Sequence, residues 1–194
     1  LSSGEYALIG CHPDREGTVG GRFFTRQVGA EKKQTVLLVR AEADRPVRGV
    51  VFMGMGEPLL NYENATRAAR ILCHPAGLAI SGRAMTFSTA GWVPGIRRFL
   101  REELPYRLAF SVTSAIPEKR LKVLPVEKTW PLGELVDCIR DYAVSRKERA
   151  MVAYVCISGF NMGEEDVAAL ERTFAGVPMK LDLIDVTDPT GVYQ

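Results

Sequence analysis

The sequence predicts an α/β fold in which six mainly parallel strands form a partial or closed βα barrel. Short apolar runs rich in β-branched residues alternate with longer stretches that can form helices. Several of these runs are continuously apolar rather than alternating, which is typical of parallel strands covered on both faces. A doubly wound open sheet is the alternative that the two patterns leave open.

Six segments are predicted to form the strands. In chain order they are EYALIGC (5–11), VRGVVFMGM (47–55), AMTFSTA (84–90), RLAFSVTS (107–114), MVAYVCISG (151–159) and MKLDLIDV (179–186). Five segments between them are predicted to be helical, namely TRQVGAEKKQTVLLVR, YENATRAARILC, VPGIRRFLREEL, PLGELVDCIRDYAVSR and GEEDVAALERTFAG. Strand and helix therefore alternate along most of the chain, as in a series of βα units.

The length of the chain predicts a single domain over residues 1–194. Apolar residues make up 46% of the chain and charged residues 25%, which are ordinary values for a globular protein. The formal net charge is +2, from 25 basic and 23 acidic residues, so the charge gives no support to an RNA partner, although it leaves one open. No apolar run has the length of a membrane span, so we expect no membrane association, while the cysteine pattern described next predicts a cytoplasmic location. The oligomeric state is left open.

The four cysteines are scattered at positions 11, 73, 138 and 156, with no C-x-x-C pair. This spacing indicates neither a disulfide framework nor a zinc site, and it fits a reducing compartment. Cys73, Cys138 and Cys156 are expected to fill core positions, as free cysteines usually do.

Small or polar residues follow the predicted strands at the point where each apolar run ends. The segments are GMGEP (54–58), STAG (88–91), SVTS (111–114), SGFN (158–161) and DVTDP (185–189). In a parallel βα fold the carboxyl ends of the strands lie on one rim, where such folds bind their ligands. The sequence therefore predicts a ligand site on this rim.

The GMGEP segment combines two glycines with a carboxylate. Gly54 and Gly56 would let a ligand approach the backbone closely, and Glu57 suits a ligand ammonium group or a ribose hydroxyl. The alternative is a glycine-lined turn in which Glu57 caps a helix that starts near Asn61.

Hydroxyl and amide side chains occupy the other strand ends. Ser88, Ser111 and Thr113 are predicted to bind a carboxylate or a sugar, or else to serve as caps and turn residues. Asn161 is predicted either to bind the ligand or to be the N-cap of the helix GEEDVAALE, with Glu164 as its capping-box partner.

The segment VVFMGMGEPLLNYENATRAARIL resembles the radical S-adenosylmethionine (radical SAM) methyltransferases that modify carbon two or eight of adenine in ribosomal and transfer RNA. The resemblance continues through MTFSTAGWVPGIRRF, LAFSVTSAIPEKRLKVLPVEKTWPLGELVDCIRDY and VAYVCISGFNMGEEDVAALERTFAGVPMKLDLI. It covers nearly the whole chain in collinear order, and MGMGEPLLN is highly specific to that family. The resemblance implies a partial (β/α)6 barrel of the radical-SAM type with S-adenosylmethionine across the ends of its strands.

The resemblance also implies roles for the residues at the strand ends. Gly56 and Glu57 would meet the methionyl amino group of S-adenosylmethionine. The remaining methionyl and ribose groups would contact Ser88, Ser111, Thr113 and Asn161. Thr113 stands where the family usually has the histidine of an SLH triplet.

The segment that corresponds to the cluster loop of this family lacks the family's cysteines. The loop reads C-x-x-x-C-x-x-C, and an ungapped alignment of LSS and GGRFF places Ala7, Cys11 and Asp14 at the three cysteine positions. Iron–sulfur clusters depend on cysteine thiolates, alanine cannot ligate, and a carboxylate with one thiolate is a poor replacement. We therefore expect no iron–sulfur cluster.

These observations predict a domain that binds S-adenosylmethionine and uses polar rather than radical chemistry, if it is an enzyme. No catalytic residue stands out; the carboxylates considered are Asp14, Asp182, Asp185 and Asp188. The alternatives are a catalytically silent binding or scaffold protein and a fragment of an RNA methyltransferase with an unusual cluster.

Overall fold

The structure is a computed structural model that describes residues 47–53 and 56–185, together with the backbone of two short strands at 7–10 and 22–25. The described chain forms two compact units. The first contains Leu1–Ser88 and Pro105–Arg107, and the second contains Thr89–Leu104 and Leu108–Gln194. The prediction of a single domain stays a prediction.

The described part of the first unit contains four strands and one helix. They are β1 (Ala7–Gly10), β2 (Arg22–Thr25), β3 (Val50–Phe52), α1 (Tyr62–Cys73) and β4 (Met85–Thr89), which a 3₁₀ turn at Gly82–Ala84 precedes. The strand order is β2-β1-β3-β4, in which β3 and β4 are parallel while β1 is antiparallel to both β2 and β3. The antiparallel direction of β1 differs from the parallel direction predicted for most strands. The reason is that an apolar run indicates a buried strand but does not fix the direction of that strand.

Helix α1 shows how the local sequence sets its own boundaries. Its buried residues, Tyr62, Ala65, Thr66, Ala69 and Leu72, recur every three or four positions and form one apolar stripe. The helix ends at Cys73 because His74 precedes Pro75, and a residue before proline is disfavoured in the helical region; His74 has φ −63° and ψ 137°.

Up to Asp185, where the described chain ends, the second unit contains four helices and three strands. They are α2 (Val93–Arg101), β5 (Arg107–Ser111), α3 (Pro117–Val123), α4 (Leu132–Arg146), β6 (Ala150–Cys156), α5 (Glu164–Thr173) and β7 (Met179–Asp185), with a 3₁₀ turn at Pro125–Lys128. The strands run parallel in the order β5-β6-β7, with Ala109 opposite Met151 and Ala150 opposite Met179. None of the helices in the described part of the chain is long and apolar enough to cross a membrane.

The predicted elements have direct counterparts in most of the described chain. Helix α3 and strand β2 were not predicted, and most of the predicted helix at 25–40 lies outside the described residues. The predicted strands at 47–55 and 107–114 shorten to β3 and β5, which leaves Gly56, Glu57 and Pro58 and most of SVTS in the loops that follow them. Ser88 and Ser111 therefore lie within β4 and β5, whereas Gly56, Glu57 and Thr113 lie in loops that follow a strand.

Helix α4 packs a tyrosine whose hydroxyl is fully hydrogen-bonded. Tyr142 is 1% exposed, accepts a hydrogen bond from the backbone N–H of Leu108 (3.3 Å) and donates one to Glu148 Oε1 (3.0 Å). Burial is the main cause that raises the pKa of Tyr142 to about 12, and the carboxylate of Glu148 adds to it.

We expect this tyrosine to make the protein less stable in strong base. Between about pH 10 and pH 12 the unfolded chain loses the Tyr142 proton while the folded chain keeps it, so the free energy of unfolding falls as the pH rises. In the variant Tyr142→Phe this fall should be smaller, as measured by urea unfolding at several pH values. Tyr154, whose pKa burial also raises to about 12, should account for part of the remaining fall. An unchanged pH dependence in Tyr142→Phe would contradict the assignment.

Candidate functional site

The loop after β3 presents an open backbone beside a carboxylate. Gly56 is exposed with φ +121°, a conformation that residues with side chains rarely adopt, and no described atom lies within 4 Å of where its Cβ would be. Glu57 is half-buried, and its Oε1 accepts a hydrogen bond from the backbone N–H of Leu59 (3.0 Å). Gly54 lies outside the described residues.

The contacts of Glu57 bear on the alternative reading of this segment. Helix α1 begins at Tyr62 with Asn61 as its N-cap, and no side chain caps it. Glu57 instead stabilises its own turn, in which the backbone N–H of Leu60 also bonds to the carbonyl of Glu57 (3.1 Å). One carboxylate oxygen thus has a local structural role, and the carboxylate stays at the end of β3.

Strand β4 places Ser88 on its less buried face. Burial alternates along the strand, so that Met85, Phe87 and Thr89 are buried while Ser88 is half-buried. The turn that follows β4 belongs to the second unit. There, Thr89 Oγ1 accepts hydrogen bonds from the backbone N–H groups of Gly91 (3.1 Å) and Trp92 (3.3 Å).

In the second unit, Ser111 and Thr113 lie at and just beyond the end of β5, with Val112 between them. Ser111 is half-buried and is the last residue of the strand. Thr113 is 6% exposed and has φ +57°, which is rare for a β-branched residue. Within the described chain, neither hydroxyl makes a hydrogen bond, so both are available to a ligand.

The side chain of Asn161 is 1% exposed and bonds to backbone groups. Its Nδ2 donates to the carbonyls of Thr113 (2.6 Å) and Val155 (2.7 Å), and its Oδ1 accepts from the N–H of Ile157 (2.7 Å). The two hydrogens of the amide are therefore both used within the protein.

The prediction that Asn161 is the N-cap of the helix GEEDVAALE is wrong. Helix α5 begins at Glu164 with Gly163 as its N-cap, and Asp166 Oδ2, rather than Glu164, accepts the hydrogen bond from the Gly163 N–H (3.1 Å). The capping pattern was present in the sequence but lies two residues further along. Lys119 bonds to both carboxylate oxygens of Asp166 (2.9 Å each), which fixes this helix end to α3.

The cysteines and carboxylates of the described chain form no metal site. No group of three or more His, Cys, Asp or Glu residues that could hold a metal ion occurs in this part of the chain. Cys138 is buried, while Cys73 and Cys156 are half-buried, and all three are free. Burial raises the pKa values of the Cys73 and Cys138 thiols, which disfavours reactive thiolates.

Among the residues at the three predicted cluster positions and the carboxylates considered for catalysis, three are described. Ala7 lies on β1 and has no ligating side chain, and Asp182 and Asp185 are exposed on β7. Cys11, Asp14 and Asp188 lie outside the described residues.

Sequence reasoning missed a buried ion pair beside the loop that follows β4. Arg120 is 0% exposed, donates from Nη1 to Glu127 Oε2, and donates from Nη2 to the carbonyl of Ala90 (2.7 Å). Glu127 Oε1 in turn accepts from the N–H of Leu132, the first residue of α4 (3.2 Å). Charged residues on short helices are usually solvated, and no sequence signal marked this pair.

The chain was compared with known proteins by sequence and by structure. A probable RNA methyltransferase from Myxococcus xanthus is 71% identical over 158 residues, which are 81% of this chain and 44% of that protein. A second probable RNA methyltransferase, from an Anaeromyxobacter species, is 46% identical over 100% of this chain and 57% of its own length. A crystal structure of a radical SAM methyltransferase from Sphaerobacter thermophilus superposes with a TM-score of 0.75 at 33% identity, over 82% of this chain and 47% of that one.

The chain is a homologue of the radical SAM RNA methyltransferases. The resemblance and the α/β fold class of the radical-SAM type are thereby confirmed. No protein-family model matches the chain.

The homology covers part of each relative. The dual-specificity RNA methyltransferase RlmN from Geobacter sulfurreducens is 36% identical over 94% of this chain and 51% of that protein. The chain thus spans about half the length of the curated relatives it matches. A domain of a pyruvate-formate lyase-activating enzyme from Bacteroides vulgatus, at 18% identity and a TM-score of 0.53, shares the fold alone.

Proposed function

We propose that this radical-SAM-like core binds S-adenosylmethionine without an iron–sulfur cluster, and that any reaction it catalyses is polar. The observation that carries the proposal is the open backbone of Gly56 beside the Glu57 carboxylate at the end of β3. The homology to radical SAM methyltransferases supports S-adenosylmethionine as the ligand, because those relatives are named for its use.

Each proposed ligand group has chemistry that suits a part of S-adenosylmethionine. The Glu57 carboxylate suits the methionyl ammonium, since a charge-assisted hydrogen bond is about twice as strong as a neutral one. In the first unit, Gly54, Gly56, Glu57 and Ser88 are the proposed contacts. In the second unit, the hydroxyls of Ser111 and Thr113 are the proposed contacts for carboxylate and ribose groups.

The residues at the cluster positions do not fit a four-iron cluster. Such a cluster takes three thiolates in this family, whereas Ala7 offers no donor atom and Asp14 offers a hard oxygen. The only thiol of the three positions is Cys11. We therefore derive no step of the chemistry from a cluster.

A bound sulfonium supports polar chemistry without iron. Its positive charge activates the attached carbons toward a nucleophile or toward elimination, which needs only an oriented partner or a base. Asp182 and Asp185 are exposed carboxylates on β7, and neither is assigned as the base. RNA is the proposed second partner, because the curated relatives are named RNA methyltransferases.

Two further candidate functions remain. The match covers about half the length of the RNA methyltransferases, which favours a fragment of such an enzyme as the second candidate. A catalytically silent binding or scaffold protein is the third, and it is favoured if S-adenosylmethionine does not bind.

Titration with S-adenosylmethionine in a calorimeter tests the proposed site. We expect the wild-type protein to bind with a micromolar dissociation constant, and Glu57→Ala to weaken binding about 10- to 100-fold, the range for a hydrogen bond to a charged group. The matched variant is Glu57→Gln, because its side-chain oxygen can still accept the hydrogen bond from Leu59 while its charge is gone. Equal affinity for Glu57→Gln and the wild type would show that the carboxylate charge is not recognised.

The absence of a cluster is tested separately by iron and sulfide analysis after anaerobic reconstitution. We expect no stoichiometric iron or sulfide. Close to four iron atoms per chain would overturn the polar mechanism and favour the RNA methyltransferase candidate. No heat of binding at millimolar S-adenosylmethionine would overturn the ligand proposal.

A further inference from the structure

Strand β7 carries two exposed aspartates on opposite faces of the sheet. Asp182 and Asp185 are three residues apart on this strand, and side chains alternate between the two faces along a strand. In the register of the sheet, Asp182 lies opposite Ala153 and Asp185 lies opposite Cys156. The two carboxylates therefore differ in their neighbours, although both are exposed residues of one strand.

The face that carries Asp185 is the one on which helix α4 packs. Phe110 on β5 is 0% exposed and meets the ring of Tyr142 on α4 edge-on, with ring centroids 5.6 Å apart. Phe110 lies opposite Val152 on β6, and Val152 is on the same side of β6 as Cys156. Because Asp185 pairs with Cys156, it belongs to the helix-covered face of the sheet.

The other face brings Asp182 into one row with Ser111. Ser111 on β5 lies opposite Ala153 on β6, and Ala153 in turn lies opposite Asp182 on β7. The α-carbons of Ser111 and Asp182 are therefore about 10 Å apart, which is twice the usual distance between neighbouring strands. Ala153 contributes a single methyl group between them, so the row leaves space between a hydroxyl and a carboxylate. All three residues belong to the second unit.

The two polar side chains of this row have no partner in the described chain. Asp182 is exposed and Ser111 is half-buried, and neither side chain makes a hydrogen bond or an ion pair within residues 47–53 and 56–185. A carboxylate accepts hydrogen bonds and donates none, whereas a hydroxyl does both. A ligand group that fills the row must therefore offer a donor to Asp182.

The width of the row indicates which ligand group fits. A single hydroxyl that is hydrogen-bonded on both sides spans about 5.5 Å between the two partner oxygens. Two neighbouring hydroxyls span more, which suits side chains that are two strand spacings apart. Carboxylates bind the ribose hydroxyls of dinucleotides in another α/β fold, so the chemistry of the pair is an ordinary one.

The alternative is that Asp182 only protects an edge strand. Within the described chain β7 pairs with β6 alone, and charged side chains on edge strands prevent pairing with other chains. Lys180 and Asp185 are exposed charges on the same strand and would serve that purpose equally well. Asp182 differs from both of them because it stands level with the Ser111 hydroxyl across a small residue.

We propose that Asp182 contacts the ligand, by accepting a hydrogen bond from one of the two neighbouring hydroxyls of its ribose, while Ser111 bonds to the other. This inference rests on the proposed S-adenosylmethionine site. It adds a contact on β7, and it makes the site specific for ribose over deoxyribose. Asp185, on the opposite face, takes no part in binding.

The variants Asp182→Ala and Asp185→Ala test the contact by calorimetric titration with S-adenosylmethionine. Both side chains are exposed, so both variants should fold like the wild type, and each removes one negative charge from the same strand. Asp182→Ala should raise the dissociation constant about 10- to 100-fold, the range for a hydrogen bond to a charged group. Asp185→Ala should leave the dissociation constant unchanged.

Removal of the hydroxyls from the ligand tests the same contact from the other side. The probes are adenosine, 2′-deoxyadenosine and 3′-deoxyadenosine, which carry the sugar without the methionyl part and are titrated against the protein by NMR. In the wild type, at least one deoxy compound should bind about tenfold more weakly than adenosine. In Asp182→Ala the same removal should cost much less, because the partner of the hydroxyl is already gone.

The two titrations together separate this inference from the proposed function. Losses from Asp182→Ala and from the missing hydroxyl that are clearly less than additive support the contact. Equal losses in Asp182→Ala and Asp185→Ala, or a hydroxyl effect of the same size with and without Asp182, overturn it and leave the proposed ligand in place. Binding of adenosine that depends on Asp182, without binding of S-adenosylmethionine, supports the contact and overturns the proposed ligand. Binding of neither compound to the wild type overturns both.

Discussion

Replacement of Glu127 by alanine is expected to lower the free energy of unfolding by about 3–5 kcal/mol, the usual cost of removing one partner of a buried ion pair. The reason is the location of Arg120, which is fully buried and donates to the Glu127 carboxylate. Burial lowers the pKa of Arg120, and the carboxylate of Glu127 opposes that shift. Without the carboxylate, the guanidinium would remain charged in an environment that solvates it poorly.

The exposed pair of Asp137 and Arg140 on α4 is the control for this measurement. Its two charged atoms are 2.9 Å apart, but both side chains are largely in solvent, so Asp137→Ala should cost at most about 0.5 kcal/mol. The double variant Arg120→Met with Glu127→Leu should recover most of the stability in urea unfolding, because apolar side chains often replace a buried pair without loss. A loss below about 1 kcal/mol in Glu127→Ala would mean that water reaches the pair.

The ion pair also explains how a loop at a strand end is held in place. Arg120 reaches the carbonyl of Ala90 in the loop after β4, while Glu127 reaches the first N–H of α4. Gly91 is needed next to this contact, since it has φ +114° and a Cβ there would lie 3.3 Å from Arg120 Nη2. A buried charge thus fixes a loop whose own sequence is short and apolar.

Helices were predicted well where the stop and start signals are local. The predicted segment YENATRAARILC coincides with α1, because the proline after His74 ends the helix. Helix α4 begins one residue after the predicted start, since Pro131 is its N-cap. In both cases residues within one turn of the boundary carry the information.

Features that depend on distant residues were not predicted. The direction of β1 depends on its pairing with β3, some forty residues later, and the apolar pattern of Ala7–Gly10 is the same for either direction. The partnership of Arg120 with Ala90 spans thirty positions, and no spacing rule reveals it. The capping residue of α5 was missed for a different reason, since two overlapping patterns were available and the structure uses the later one.

The candidate site was predicted as positions rather than as contacts. The glycine pattern identified Gly56, whose positive φ gives it a conformational reason to be glycine. The sequence could not show that the side-chain amide of Asn161 hydrogen-bonds to backbone groups, because those partners lie in two other segments of the chain. Its assignment as a ligand contact followed from its place at a strand end and from the resemblance, and it stays a prediction.

The second large effect on stability is predicted for a stacked aromatic pair in the core of the first unit. Phe87 on β4 is 0% exposed and stacks on Phe52 of β3, with ring centroids 4.4 Å apart and planes 17° apart; Tyr106 packs at 5.5 Å. Phe87→Ala is expected to lower the free energy of unfolding by about 3–5 kcal/mol, the usual cost of removing a buried aromatic ring. The removal of the ring–ring packing and the cavity that the alanine leaves both contribute to this cost.

The control for Phe87→Ala is Ile71→Ala on α1. Ile71 is 47% exposed, so its removal should change stability by about 0.5 kcal/mol or less in the same urea unfolding experiment. Phe87→Leu should cost less than Phe87→Ala, because leucine fills part of the space. If Phe87→Ala and Ile71→Ala lost similar stability, the stacked pair would not anchor β3 to β4. Phe52 is the last residue of β3, and the segment with Gly56 and Glu57 follows it. Such a result would therefore mean that this strand end is not held rigidly, and that the proposed site at Gly56 and Glu57 lacks a preformed support.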